Sequence, residues 1–307
     1  MASTAVTTRL LEQIRCCHPR ALTGVEEARG SDPERFDRYC QLFLGWALAA
    51  FGEDSLPRIT KAFVRFTSDV NLAQARYEAT GCYEPKSFDD CLESVYTETK
   101  TMEEYLLGVF LTNFLWAHHL GLCRFFEERF LPRIADANRI TEIAPGHGGW
   151  GLWALHALPK AKLEAYDISP SSLKIAGALA QAAGLSQRTR YTLQNAMELD
   201  TGAMQPVDAC ICCFLVEHLE DPDRLMNIIA SLLRPGGHAF FTGALTAAQI
   251  DHIYEFKQES ELVLLAERHG LRVLEMQSAG PCRTLPKANY LPRSAALVIQ
   301  KKSHASW

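Results

Sequence analysis

In the stretch RITEIAPGHGGWG, residues 139–151, an apolar strand pattern runs straight into a turn rich in glycine. Glycines there let the backbone pass close to a ligand, and the helix pattern that follows aims free N–H groups at it. The next strand pattern, KLEAYD, ends at Asp167, 19 positions beyond Gly148. A carboxylate at that place can accept hydrogen bonds from both hydroxyls of a ribose. Strand, turn, helix, strand and terminal acid, in this order, point to a nucleoside site. The G-x-G-x-x-G of a nicotinamide site is absent, because residues 144–149 read APGHGG.

Other reactive groups are scattered along the chain. His118 and His119 sit in an apolar helical run, where a neutral imidazole can act as a general base near neutral pH. A hydrogen-bonded core histidine is the competing reading. Tyr77, Tyr83 and Tyr96 surround an irregular, glycine-containing segment that suits a lid. Their rings could face a cation or their hydroxyls a substrate, although helix packing gives the same pattern. Glu217-His218 directly follows a strand pattern, so both acid–base work and a capping role are open to it. Asp251-His252-x-Tyr254 reads either as a second lid or as a surface helix. Cys210, Cys212 and Cys213 alternate along an apolar strand and read as core thiols. His147, Glu217, His218 and His252 are potential metal donors without a recognisable spacing, so no metal is expected.

The elements that must position these groups fall into two rhythms. Up to about residue 135 the signals are helical. Ser31-Asp32-Pro33-Glu34 reads as a cap and first-turn proline opening a helix through residues 42–51. Ser87-x-x-Asp90 and Thr101-x-x-Glu104 resemble capping boxes, and the second is expected to open one long buried helix reaching about Phe130. After Arg139, strands alternate with helices, which argues for a parallel sheet covered by helices. The strand candidates are residues 139–144, 162–167, 189–194, 207–214, 238–243, 272–278 and 295–300.

Composition removes several classes. The 307 residues are 48% hydrophobic and 22% charged, which excludes disordered, collagen-like and coiled-coil chains. Net charge is −5, from 31 basic and 36 acidic residues, so neither nucleic acid nor an anionic membrane is an expected partner. The opening MASTAVTTRLLEQIRCCHPR has no apolar core of signal-peptide length, and no secretory signal is expected. The most apolar window, residues 105–123, holds Asn113, His118 and His119, which favours a buried helix over a membrane span. Ten cysteines without an export signal suggest reduced thiols and a cytoplasmic location.

The residues of the glycine turn and beyond resemble the class I S-adenosylmethionine (SAM)-dependent methyltransferase family. That family's first motif, acid-x-Gly-x-Gly-x-Gly, is matched by Glu142-Ile143-Ala144-Pro145-Gly146-His147-Gly148 except at Ala144. AYDISP, with Asp167 and Ile168, is similar to the stretch that holds the SAM ribose. Gln194-Asn195-Ala196 looks like the adenine clamp, DACICCFLVEHLEDPDRLM like strand four and its helix, and RPGG (234–237) like the lead into strand five. The resemblance covers residues 138–302.

It implies an α/β, Rossmann-like fold over residues 136–307, with a seven-stranded sheet whose last strand is antiparallel, and an N-terminal all-helical cap over residues 1–135. It implies SAM as cofactor, held by Glu142, Ala144, Gly146, Gly148, Asp167, Ile168, Asn195, Ala196 and Phe214. Glu142 would orient the methionine part, and Phe214 or Leu215 would line the cavity. The expected activity is methylation of a small molecule of specialised metabolism, with Tyr77, Tyr83, His119 and His218 as catalytic candidates. The layout is also similar to azetidine-2-carboxylate synthases, in which SAM's own α-amine attacks its γ-carbon and methylthioadenosine leaves. A SAM-binding regulatory partner without turnover is the third reading.

Overall fold

In the computed structural model, residues 5–84, 87–91, 99–283 and 287–303 are described. Tyr96 lies outside them, as does the side chain of Asp90. Helices occupy the chain up to Ile134, and strand–helix alternation occupies the rest. The Asp32 carboxylate accepts from the Arg35 amide at 3.2 Å and caps the helix Pro33–Tyr39. That helix continues through a wider turn at Cys40–Leu44 into Gly45–Phe51. The longest helix, Leu56–Thr80, ends where Gly81 takes a left-handed conformation and its amide closes on Tyr77 O at 2.8 Å.

One expectation needs correcting. The run from Thr101 to Phe130 is not a single helix: it breaks at Trp116, and the segments on either side diverge by 77°. Thr112 Oγ1 and Asn113 Nδ2 turn back onto the carbonyls of Val109 and Phe110 at 2.7 and 3.1 Å, which weakens the helical ladder just before the break. The Trp116 ring then stacks between Phe66 and His118, with centroids at 5.7 and 5.3 Å. No single helix among the described residues is long and apolar enough to cross a membrane. The bent pair around Trp116 meets that test by length and composition, but Phe110, Phe114, Leu122 and Phe126 on it are fully buried in protein.

All seven strand patterns form strands: β1 (Arg139–Ile143), β2 (Lys162–Asp167), β3 (Thr189–Leu193), β4 (Val207–Cys213), β5 (Leu233–Leu245), β6 (Leu271–Ala279) and β7 (Arg293–Lys301). They make one sheet in the order β3-β2-β1-β4-β5-β7-β6, parallel except for β7. Strand order reverses between β1 and β4, and ligands bind outside the carboxyl ends of the strands at such a switch point. The helices of the first 134 residues share a core with the sheet. Phe126 sits 5.1 Å from Trp150 and 4.9 Å from Phe240 on β5. The apolar contact is continuous from Leu10 through Phe110 to Val298.

The helices Leu56–Thr80 and Thr99–Leu115 cross at Gly108, where a Cβ would stand 2.7 Å from both Ala62 O and Phe66 Cβ. Gly108→Ala is therefore expected to cost about 1–3 kcal/mol by forcing the helices apart. Denaturant unfolding checks this; an unchanged midpoint would show that the crossing has slack.

Candidate active site

The glycine turn is built on left-handed backbone. Ala144, Gly146 and Gly148 have φ of 49°, 53° and 74°. Ala144 stands where glycine is easiest, so its side chain carries strain of about 1–2 kcal/mol. The same device recurs on the neighbouring strands. Phe214 directly after β4 has φ 52°, and Thr246 directly after β5 has φ 45°. Three adjacent strands thus end in strained, left-handed, non-glycine residues, the kind of backbone that clusters at functional sites. Here the chain turns away from the sheet edge and leaves a cavity of about 750 Å³, within the range of small-molecule sites.

Asp167, at the end of β2, holds this edge together. Its Oδ2 accepts from the Gly146 amide at 3.0 Å, and its Oδ1 accepts from the Ser169 amide at 2.8 Å. Burial pushes its carboxyl up to about 6, while the two amides pull in the other direction. Ser172 and the Ile168 amide also bond to this carboxylate, whose oxygens can each accept more than one hydrogen bond. Ile168, Asn195 and Ala196 line the cavity next to it. Asn195 Oδ1 accepts from the Met197 amide at 3.0 Å and so shapes that wall. On β1, Glu142 Oε1 accepts from the Gly151 amide at 3.1 Å, and its Oε2 is buried without a partner. Burial raises Glu142 to about 8.

Gly148 does not face the cavity. A Cβ there would meet Ala176 Cβ at 2.8 Å, so this glycine serves the packing of the helix Pro170–Ala182 against the turn. Ala144, Gly146 and Phe214 do line the cavity.

The helical half supplies the opposite wall: Phe66, Tyr105, Trp116, His118 and His119. His119 stacks on Phe214 at 5.1 Å, and its ring nitrogens lie 3.1 Å from Thr112 Oγ1 and 3.2 Å from Ser294 Oγ. Burial lowers His118 to about 4 and holds His119 well below its ordinary range. With both nitrogens against hydroxyls and so low a pKa, His119 suits orienting a ligand better than taking its proton. His218 also lines the cavity, beside Glu217 and His252.

The structure does not bring Tyr77 and Tyr83 into the cavity. Gly81 ends the helix that carries Tyr77, Tyr83 lies just beyond it, and the two rings, 5.0 Å apart, pack with Tyr290 and Ala248 in a separate cluster. Tyr77 OH donates to Glu255, and Tyr83 OH accepts from the Ala247 amide at 3.1 Å. These tyrosines fasten the long helix to the loop after β5. Two other tyrosines line the cavity, Tyr105 and Tyr166, and the Tyr105 hydroxyl lies 3.4 Å from Asp251 Oδ2. The signal was helical spacing: Met102, Tyr105, Val109 and Thr112 share one helix face, and all four line the cavity, as does Trp116 just beyond the helix.

Residues 140–237 match the methyltransferase domain family model. An uncharacterised protein of Synechococcus is 32% identical over 143 residues, covering 45% of this chain and 31% of its own. The ubiquinone biosynthesis O-methyltransferase of Xanthomonas axonopodis is 31% identical over 97 residues, covering 32% of this chain and 40% of its own. The chain thus spans less than half the length of these curated relatives. An O-methyltransferase family protein of Burkholderia thailandensis superimposes with a TM-score of 0.51 at 14% identity, covering 68% of this chain and 62% of that one, which is a likeness of fold.

The raised carboxyl of Glu142 has a consequence for stability. Its folded pKa of about 8 lies above the ordinary 4.5, so the native state holds the proton more tightly than the unfolded chain. Stability should therefore fall as pH rises between those values. Glu142→Gln removes this titration. Denaturant unfolding at about pH 5 and about pH 8 should show the variant gaining on the native protein at the higher pH. An equal difference at both would show that Glu142 titrates normally.

Proposed function

From a chain that carries a class I SAM-dependent methyltransferase domain, we propose an enzyme that methylates a small molecule enclosed between its sheet edge and its N-terminal helices. The carrying observation is the two-ended cavity: a hydrogen-bonding rim at Glu142, Gly146 and Asp167 faces a neutral wall of aromatic and imidazole rings.

The residues fit the cofactor. The unpartnered Oε2 of Glu142 can take the ammonium of the methionine part. Asp167 can accept from the ribose, and Ile168 and Ala196 offer apolar surface to adenine. When bound, SAM supplies an electrophilic methyl group that needs no metal for its own activation. The chain's task is then positioning and exclusion of water. Helices of residues 1–135 act as the lid in this reading. Gln74 ties them down, its Oε1 accepting from the Ala248 amide at 2.9 Å and its Nε2 donating to Tyr290 O at 3.2 Å. A cavity of this size suits a small acceptor, and the net charge of −5 disfavours nucleic acid.

A second reading draws support from the neutral walls. His118, His119 and His147 are all held neutral by burial, and Glu142 is raised toward its acid form. Such surroundings favour an uncharged amine. The α-amine of SAM could then attack its own γ-carbon, forming the C–N bond as the C–S bond breaks. Azetidine-2-carboxylate and methylthioadenosine would result.

The nucleoside product separates these readings. Incubated with SAM alone, a methyltransferase is expected to release almost none, and to give S-adenosylhomocysteine once an acceptor is added. Steady acceptor-independent methylthioadenosine with matching azetidine-2-carboxylate would overturn methyl transfer in favour of cyclisation. Neither product with any small acceptor would overturn both and leave a SAM-binding partner without turnover.

A further inference from the structure

Two adjacent donors and a third from a later loop meet on the cavity wall. Glu217 and His218 lie in the short turn Val216–His218 that follows β4, and His252 comes from the loop after β5. One ligand atom of each lies within 4.8 Å of the others. Backbone bonds hold the two segments together: the Ile253 and Tyr254 amides donate to Glu217 O at 2.8 and 3.0 Å.

The imidazoles are oriented in a particular way. His218 Nδ1 lies 2.9 Å from Asp251 O, and His252 Nδ1 lies 2.6 Å from Ala247 O. A carbonyl oxygen only accepts, so each ring donates from Nδ1, and Nε2 is the nitrogen left for a ligand. Metal-binding histidines are commonly oriented by such a bond from the other nitrogen. Between them, both oxygens of Glu217 are buried, met by the backbone amides of Glu217 itself and Ala244 and hydrogen-bonded to no side chain. A buried carboxylate is costly, and a cation removes that cost.

We propose that Glu217, His218 and His252 bind one divalent first-row transition ion, of the zinc or manganese kind, whose open positions face the cavity and take an acceptor oxygen. Two imidazoles and one carboxylate suit such ions, and three protein ligands leave coordination sites free. All three residues line the cavity, which gives those sites access to a small molecule. The acceptor part rests on the methyl-transfer reading; the metal site itself does not. A hydroxyl bound to the ion loses its proton to water more readily. Its oxygen then forms the new bond to the methyl carbon as the C–S pair returns to sulfur.

The test uses the full chain, freed of metal by a chelator and titrated with Co²⁺ alone, then with Zn²⁺ alone. Calorimetry should give one ion per chain, and Co²⁺ should develop visible bands that Zn²⁺ displaces. Glu217→Gln and His252→Ala should each weaken binding by at least about tenfold to 100-fold. Retained thermal stabilisation by S-adenosylhomocysteine shows that each variant is folded. No stoichiometric ion, or binding unchanged in both folded variants, would overturn the site. Stoichiometric binding together with methyl transfer that survives chelation would keep the site and overturn its role toward the acceptor.

Discussion

A buried carboxylate at the end of β2 accepts from the amides of Gly146 and Ser169, and the shape of the cavity depends on that tie. It draws the turn after β1 toward β2, so that Gly146 presents backbone instead of side chain to the open space. Ala144 pays in strain for the same turn, and Phe214 and Thr246 repeat that strain on β4 and β5. Regular ends on these three strands would run the chain across the sheet edge. The buried apolar residues of β1, β4 and β5 hold the strained ends in place.

The helical half depends on a second constraint, the break at Trp116. A straight helix would carry His118 and His119 past the cavity, whereas the 77° bend sets their rings against Trp116 and Phe214. The stretch of wall around the bend is built of aromatic and imidazole rings, opposite a rim that carries Glu142 and Asp167.

Much of this was legible in the sequence because the sheet is parallel and buried. Its strands read as apolar runs ending at turn residues, and all seven were found within a few residues. β5 was the least well bounded, since RPGG hides its first residues. Asp167 and the glycine turn were legible because their spacing follows from one strand–helix–strand unit. The break at Trp116 was not, since it arises from side chains that bond back to their own helix and from a ring contributed by Phe66. Tyr77 and Tyr83 were misplaced for a related reason: the loop after β5 captures them, far away in the chain. The meeting of Glu217 and His218 with His252 is likewise a product of tertiary structure, bringing residues from two loops within 4.8 Å.

Titration calorimetry of S-adenosylhomocysteine against the native chain and Asp167→Asn tests the central claim most directly. Asparagine keeps one acceptor for the Gly146 or Ser169 amide but loses the charge that a ribose would meet, at about 1.5–3 kcal/mol for each hydrogen bond to a charged group. One molecule bound per native chain, with affinity lowered by about tenfold or more in the folded variant, is the result the account predicts. Equal affinity in both would contradict it, because the nucleoside would then lie away from the edge that Asp167 holds.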